Sequence, residues 1–226
     1  MKILISDSLA QRGVDLLKGV PEFEVEFKPG LSPQELRSAL SDAEALVIRS
    51  GTKVSADVIE AAPRLRVIGR AGIGLDNVDI AAASKRGIVV MNTPEGNVIT
   101  TAEHTIAMLT ALSRNIHQAT TSMKAGKWEK KRFLGQELYH KTLGIIGIGR
   151  IGRIVAERAV GLRMQVIAYD PHLEPETIQR LGVFTVDLDE LFRRSDYITV
   201  HTPLTRDTKG LLNREAFAKM KDGVMI

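Results

Sequence analysis

The segment Gly147-Ile148-Gly149-Arg150-Ile151-Gly152 constrains this chain more than any other. Three glycines at that spacing mean little by themselves. Here an apolar run, Leu143–Ile146, precedes them, and an amphipathic helical pattern over 151–162 follows. A second apolar run, Gln165–Tyr169, then ends in Asp170, eighteen residues past Gly152. That order is strand, turn, helix, strand, acid, the arrangement that binds a dinucleotide. Gly147 permits the tight turn off the strand, and Gly149 lets backbone N–H groups approach a pyrophosphate. Gly152 allows the helix to pack closely on the sheet, and the helix N-terminus offers unpaired N–H groups to the anion. Asp170 would accept hydrogen bonds from the adenosine ribose and repel a 2′-phosphate, so the pattern favours NAD over NADP.

The remainder of the chain keeps an α/β rhythm. Lys2–Ser6, Phe23–Phe27, Ala45–Ile48, Arg66–Gly69 and Ile88–Met91 read as strands. Ser8–Lys18, Ser32–Leu40, Ser55–Ala61 and Asn77–Lys85 read as helices, with Ser8, Ser32 and Ser55 as N-caps and Pro33 in a first turn. Such alternation predicts a parallel sheet covered on both faces. Thr100 and Glu103 have the spacing of a capping box, and apolar residues then recur at helical intervals up to Gly126. A single helix over 100–125 would be about 39 Å long. It would bridge two domains, pack on another subunit, or lie in the core of the second domain. Beyond the glycine segment, helices are expected over Pro175–Leu181, Leu188–Arg194 and Asn213–Met220. Strands are expected at Tyr197–His201 and opening at Gly223.

Several classes of function are excluded. Cysteine is absent, so disulfides, thiol nucleophiles and Cys-ligated metals are ruled out. No apolar stretch nears the ~20 residues of a membrane span. The first residues meet Asp7 too soon to form a signal-peptide core, and a cytoplasmic protein with no membrane partner is expected. Lys and Arg number 31 against 27 acids. That excess implies no nucleic-acid footprint, although Lys127-Trp128-Glu129-Lys130-Lys131-Arg132 is either a solvated loop or an anionic-ligand site. The five histidines show no metal-ligand spacing. A second glycine-rich turn, Gly69-Arg70-Ala71-Gly72-Ile73-Gly74, lacks a third glycine at 77. It reads either as a loop facing an anion or as a surface turn. His201-Thr202-Pro203 follows a strand of the nucleotide-binding half, where Thr202 would reach a cofactor.

The glycine–arginine turn from Gly69 to Asp79 joins several other segments in one pattern. These are Ile48-Arg49-Ser50-Gly51-Thr52, Pro94-Glu95-Gly96-Asn97, Ala102-Glu103-His104-Thr105, Gly126-Lys127-Trp128, Tyr169-Asp170-Pro171 and Thr199–Leu204. Together with Gly147–Gly152 they resemble the D-isomer-specific 2-hydroxyacid dehydrogenases, from Met1 to Ile226, and most closely the members that oxidise D-3-phosphoglycerate with NAD on the route to serine. The resemblance implies two Rossmann-like parallel-sheet domains. One is a flavodoxin-like substrate domain over 1–98, completed by a later segment. The other is an NAD-binding domain over 99–226 whose arm, 99–140, builds a homodimer or homotetramer. It implies that Arg49, Arg70, Ala71, Gly72 and Asn97 surround the carboxylate and phosphate of a small phosphorylated 2-hydroxy acid. Arg132, or a basic neighbour, would reach the phosphate from another subunit. NAD contacts fall to Ile73, Gly147, Gly149, Arg150, Ile151, Gly152, Asp170 and Thr202. Ile73 departs from the Thr common at that place. The family's catalytic Arg, Glu and His correspond to positions beyond Ile226, so no catalytic residue is expected within the chain. The expectation is the N-terminal part of a longer enzyme, with a sister dehydrogenase for glyoxylate or hydroxypyruvate, or a non-catalytic NAD-binding dimer module, as alternatives.

Overall fold

A computed structural model describes residues 1–226. The chain divides into two compact units, Met1–Asn97 and Val98–Ile226. No helix is long and apolar enough to cross a membrane.

The first unit runs β1 (Lys2–Ile5), α1 (Gln11–Lys18), β2 (Glu24–Phe27), α2 (Pro33–Ala39), β3 (Ala45–Ile48), α3 (Ala56–Glu60), β4 (Val67–Arg70), α4 (Ile80–Lys85) and β5 (Val89–Asn92). Its five strands are all parallel in the order β2-β1-β3-β4-β5, a flavodoxin-like winding. The central strands carry apolar side chains on both faces. Leu4, Leu46, Ile48 and Ile68 join one cluster, while Ile3, Ile5 and Ala45 join the other. That double burial is why these strands read as unbroken apolar runs.

Helix starts in this unit follow local capping chemistry. Ser32 forms a reciprocal capping box with Glu35, and Asp79 accepts the Ala82 N–H. Three expectations need correction. Ser8 lies outside α1, whose N-cap is Ala10. Ser55 holds the N-cap position of α3, but its hydroxyl donates to Asp57 instead of accepting a helix N–H. The last helix starts at Ile80 and not Asn77, because the Asn77 carbonyl and Asp79 N–H bridge to Val54.

The second unit runs α5 (Val98–Ser113), α6 (Ile116–Lys124), a 3-10 turn over Lys130–Phe133, β6 (Thr142–Ile146), α7 (Arg150–Gly161), β7 (Gln165–Tyr169), α8 (Pro175–Gln179), β8 (Phe184–Thr185), α9 (Leu188–Arg194), β9 (Tyr197–Val200) and α10 (Arg214–Lys219). Its sheet order is β8-β7-β6-β9, all parallel. The winding reverses beside β6, which places a switch point between the ends of β6 and β9. α5 and α7 pack on one face through Ala102, Leu109, Val155, Ala156 and Ala159. Leu191, Phe192 and Ala216 cover the other face.

The long helix expected over 100–125 is two helices, and Thr100 lies inside the first turns of α5 instead of capping it. The break falls at Asn115, which takes a left-handed conformation (φ 51°) that asparagine tolerates. A returning segment occupies the break. The Gln136 N–H donates to the Ser113 carbonyl at 2.8 Å, and Asn115 Nδ2 donates to the Leu134 carbonyl at 3.2 Å. The segment at Gly223 makes only an isolated bridge, Met225 to Tyr197, and β8 went unforeseen.

Candidate functional site

In the second unit the carboxyl ends of β6, β7 and β9 surround a crevice of about 430 Å³. Gly147, Gly149, Asp170, His201 and Thr202 are among its lining residues. The three glycines do different work. Gly147 sits at φ +89°, and a Cβ there would meet Thr202 Cγ2 at 2.8 Å and the His201 carbonyl at 2.9 Å. A Cβ on Gly152 would come within 2.3 Å of the Gly147 carbonyl oxygen, so α7 lies as close to the turn as a helix can. A Cβ on Gly149 would meet nothing within 4 Å, which leaves open space at the start of α7. Gly149 is the N-cap and supplies no side-chain acceptor to the first helical N–H groups. A helix start with no side-chain cap, positive dipole and clear access suits a pyrophosphate. Arg150 and Ile151 form the first turn of α7, Arg150 exposed and Ile151 half-buried.

Asp170 ends β7 at the rim of the same crevice, as the spacing predicts. Its carboxylate accepts the Ile148 N–H at 2.9 Å on one oxygen and the His172 N–H at 2.9 Å on the other. A carboxylate offers about four acceptor sites, so two remain for ribose hydroxyls. Thr202 stands against Gly147. His201 was outside the predicted set, yet it lines the crevice and its Nε2 lies 3.0 Å from Thr199 Oγ1. Burial pushes its pKa below the ordinary histidine value, favouring the neutral ring. Its place directly after β9, at the carboxyl edge of the sheet, is the signal that could have marked it.

The first unit gathers its candidate residues at the carboxyl ends of β1, β3 and β4. Asp7, just past β1, accepts the Arg49 N–H at 2.6 Å and the Thr52 N–H at 3.1 Å on one oxygen. Asn77 Nδ2 then ties the Arg49 and Thr52 carbonyls together, at 2.7 Å each. A Cβ on Gly51 would stand 2.6 Å from Asp7 Oδ1, so the loop closes tightly on the carboxylate. The Arg49 side chain is exposed above it, with Nη1 3.4 Å from the Ser8 carbonyl. Asp7 and Asn77 were outside the predicted set, because only the folded chain brings their sequence-distant partners to them.

The turn after β4 is more self-contained than its glycines suggest. The Arg70 guanidinium donates to the Gly74 carbonyl, while its buried Nε has no partner. The Ala71 N–H donates to the Ile48 carbonyl at 2.8 Å and the Gly72 N–H to the Arg70 carbonyl at 3.0 Å. Asn92 Nδ2 holds the Ile73 carbonyl at 2.7 Å. Asn97 is exposed at the end of this unit. Arg132 belongs to the second unit, where it pairs with Glu129 at 3.3 Å and stacks over Phe133. Glu129 also accepts the Ser122 hydroxyl at 2.7 Å, which together with Arg132 holds its carboxyl below the usual range. No group of three or more metal-ligating side chains occurs.

Comparison with known proteins places this geometry. Residues 106–226, more than half the chain, match the family model described as D-isomer specific 2-hydroxyacid dehydrogenase, NAD binding domain. The chain is 50% identical over all 226 residues to the D-3-phosphoglycerate dehydrogenase of Archaeoglobus fulgidus, of which it covers 43%. It therefore spans less than half the length of the curated relatives it matches. Among solved structures, a protein of Thermus thermophilus superposes with a TM-score of 0.88 at 34% identity, over 98% of this chain and 71% of that one. The D-lactate dehydrogenase of Aquifex aeolicus, complexed with NAD and lactic acid, does so with a TM-score of 0.88 at 29% identity, covering 99% and 67%. Since that NAD-binding-domain match takes in more than half of the chain, the chain belongs to the D-isomer-specific 2-hydroxyacid dehydrogenase family.

Proposed function

We propose that this chain serves the NAD-dependent oxidation of D-3-phosphoglycerate to 3-phosphohydroxypyruvate. The observation that carries the reading is 50% identity across the full 226 residues to a D-3-phosphoglycerate dehydrogenase. NAD bound in the second unit supplies the hydride acceptor. Gly147, Gly149, Arg150, Ile151 and Gly152 hold its pyrophosphate, and Asp170 and Thr202 hold its sugar and nicotinamide ends. Ile73 carries no hydroxyl, so the side-chain hydrogen bond that Thr would give at that place is absent.

The substrate has two anionic ends and a C2 hydrogen that must face the nicotinamide. Arg49 and the Arg70–Gly74 turn take the carboxylate, since a planar guanidinium fixes a carboxylate in two-point geometry. Because the Ala71 and Gly72 amides already have carbonyl partners, their contribution is the shape of the turn, and the free charge is that of Arg49. Asn97 adds a hydrogen bond. Arg132, or a basic neighbour, serves the phosphate from another subunit, and must first loosen its pairing with Glu129. His201 is bonded to Thr199 and not to a carboxylate, so it lacks the partner that would make it a general base, and we assign it no proton transfer.

The partner side of the reading is a homodimer or homotetramer. Ile99, Met108, Leu112, Ile116, Trp128 and Leu134 are exposed on or beside α5 and α6, an apolar surface that a second copy would cover. The assay, run on a full-length protein that includes this segment together with the family's catalytic Arg, Glu and His, is NADH formation from 3-phosphoglycerate, with D-glycerate as the unphosphorylated control. Loss of most of the efficiency on removing the phosphate supports the reading. Equal rates on both substrates, or preferred turnover of glyoxylate or hydroxypyruvate, overturn it in favour of a sister enzyme. NAD binding without turnover of any of these acids points to a binding module.

A further inference from the structure

Asp170 is expected to select the cofactor through its ribose, yet its carboxylate is already engaged with backbone. One oxygen accepts the Ile148 N–H at 2.9 Å, in the middle of the glycine segment. The Ile148 carbonyl accepts from Arg153 Nε at 3.3 Å, and its side chain is fully buried. The peptide groups on either side of Ile148 are thus held by one acid from the end of β7 and one base from α7. The second Asp170 oxygen accepts the His172 N–H at 2.9 Å, which fixes the carboxylate itself.

We propose that Asp170 is a positioning residue for the pyrophosphate loop, supporting nucleotide binding even where no ribose hydroxyl is present. The physical reason is that Ile148 lies at the one point where the loop must be rigid. Gly147 turns the chain at positive φ and Gly149 opens onto the crevice, so the peptide between them decides where the helix N–H groups aim. Without an acceptor the Ile148 N–H is a buried, unpaired donor that the loop relieves by shifting. An anchored carboxylate also reaches the ribose with no ordering cost left to meet. The inference rests on nucleotide binding at this crevice and adds a second duty to the residue there.

The two duties separate when the hydroxyls are removed from the ligand. Binding of ADP and of 2′,3′-dideoxy-ADP is measured by calorimetry for the wild-type chain, Asp170→Asn and Asp170→Ala. A carboxylate that served only the hydroxyls would leave dideoxy-ADP binding unchanged or, through loss of a like charge near the phosphates, tighter in Asp170→Ala. Loop support predicts the opposite sign. Asp170→Ala weakens dideoxy-ADP by about threefold to tenfold, the worth of one hydrogen bond. Asp170→Asn, which keeps an acceptor oxygen, stays nearer the wild type.

A second measurement needs no variant. In the ligand-free wild-type chain the Ile148 amide should exchange with solvent more slowly than that of Gly149. Equal exchange at 148 and 149, or undiminished dideoxy-ADP binding by Asp170→Ala, overturns the proposal. Failure of the wild-type chain to bind ADP at all would instead remove the nucleotide-site reading beneath it.

Discussion

Replacing Gly152 and Gly149 one at a time by alanine should separate packing of the nucleotide loop from access to it. A Cβ at Gly152 would lie 2.3 Å from the Gly147 carbonyl oxygen and 3.2 Å from its carbon. Both are backbone atoms, so neither can rotate away. Either α7 moves off β6 or the Gly147 turn opens. Overpacking of this kind costs about 1–3 kcal/mol, while alanine's helix preference over glycine returns up to ~1 kcal/mol. With a backbone wall the upper end applies, for a net loss of roughly 2 kcal/mol. At Gly149 a Cβ meets nothing within 4 Å, and φ is −68°, which alanine adopts freely. The loss there is that of a poorer N-cap, about 0.5 kcal/mol. Its methyl nonetheless stands where phosphate oxygens approach the helix, so ADP affinity should fall about tenfold or more. Stability of the second unit is read from native-state exchange of the β6 amides, and affinity from ADP titration. Equal stability of the two variants, or wild-type ADP affinity in Gly149→Ala, would refute the reasoning.

Three further outcomes are expected. Folded His201 resists protonation, so as pH falls below the ordinary value of 6.5 the unfolded chain takes up a proton first. Stability attributable to this group is therefore level above that pH and declines below it, and His201→Gln should flatten the decline in urea unfolding followed from about pH 8 to about pH 5. Asp7→Ala removes the shared acceptor of the Arg49 and Thr52 N–H groups and should cost the first unit about 1–3 kcal/mol, with faster exchange of both amides. Burial pushes Asp196 upward, but the Thr142 N–H at 2.8 Å and Lys221 Nζ at 2.9 Å outweigh it and hold the carboxyl below its usual range. The stability it contributes is present above that range and lost as pH falls through its folded pKa. Asp196→Asn should accordingly cost about 1 kcal/mol at neutral pH and soften the acid-side loss, as measured by urea unfolding.

What could be read in the sequence is what short-range chemistry determines. The limits of β7 and α9 match the segments expected for them, because a strand buried on both faces leaves an unbroken apolar run; the Asp187 N-cap that opens α9 emerges only in the folded chain. The break at Asn115 was hidden because the apolar period continues across it. Its cause is a remote segment, in which Gly135 sits so near the Ser113 carbonyl that a Cβ there would be 2.4 Å away. β8 was hidden for a different reason, since two residues are too short to carry an alternation. At the nucleotide crevice the glycines and Asp170 were legible from spacing, but the Asp170–Ile148 bond was not. It spans 22 positions and depends on how two turns meet. Asp7 was illegible on the same grounds, its partners lying 42 and 45 positions away.

Each unit presents an anion-competent turn at the carboxyl edge of a parallel sheet, and the two turns are finished in opposite ways. In the second unit the turn is left open. Gly149 has no neighbour at its Cβ position, no side chain caps α7, and from the glycine turn Asp170 takes the Ile148 N–H. An incoming phosphate there would be bound chiefly by backbone. In the first unit four backbone donors of the turns are already engaged. Asp7 takes the Arg49 and Thr52 amides, and the Ile48 and Arg70 carbonyls take those of Ala71 and Gly72. A ligand anion would find those four amides engaged, and the exposed Arg49 side chain is the foremost charged group beside them. That contrast suits a bulky dinucleotide, whose pyrophosphate is invariant, on one unit. It suits a small acid, whose end groups must be told apart, on the other. A guanidinium distinguishes anions by geometry in a way that an open row of amides does not.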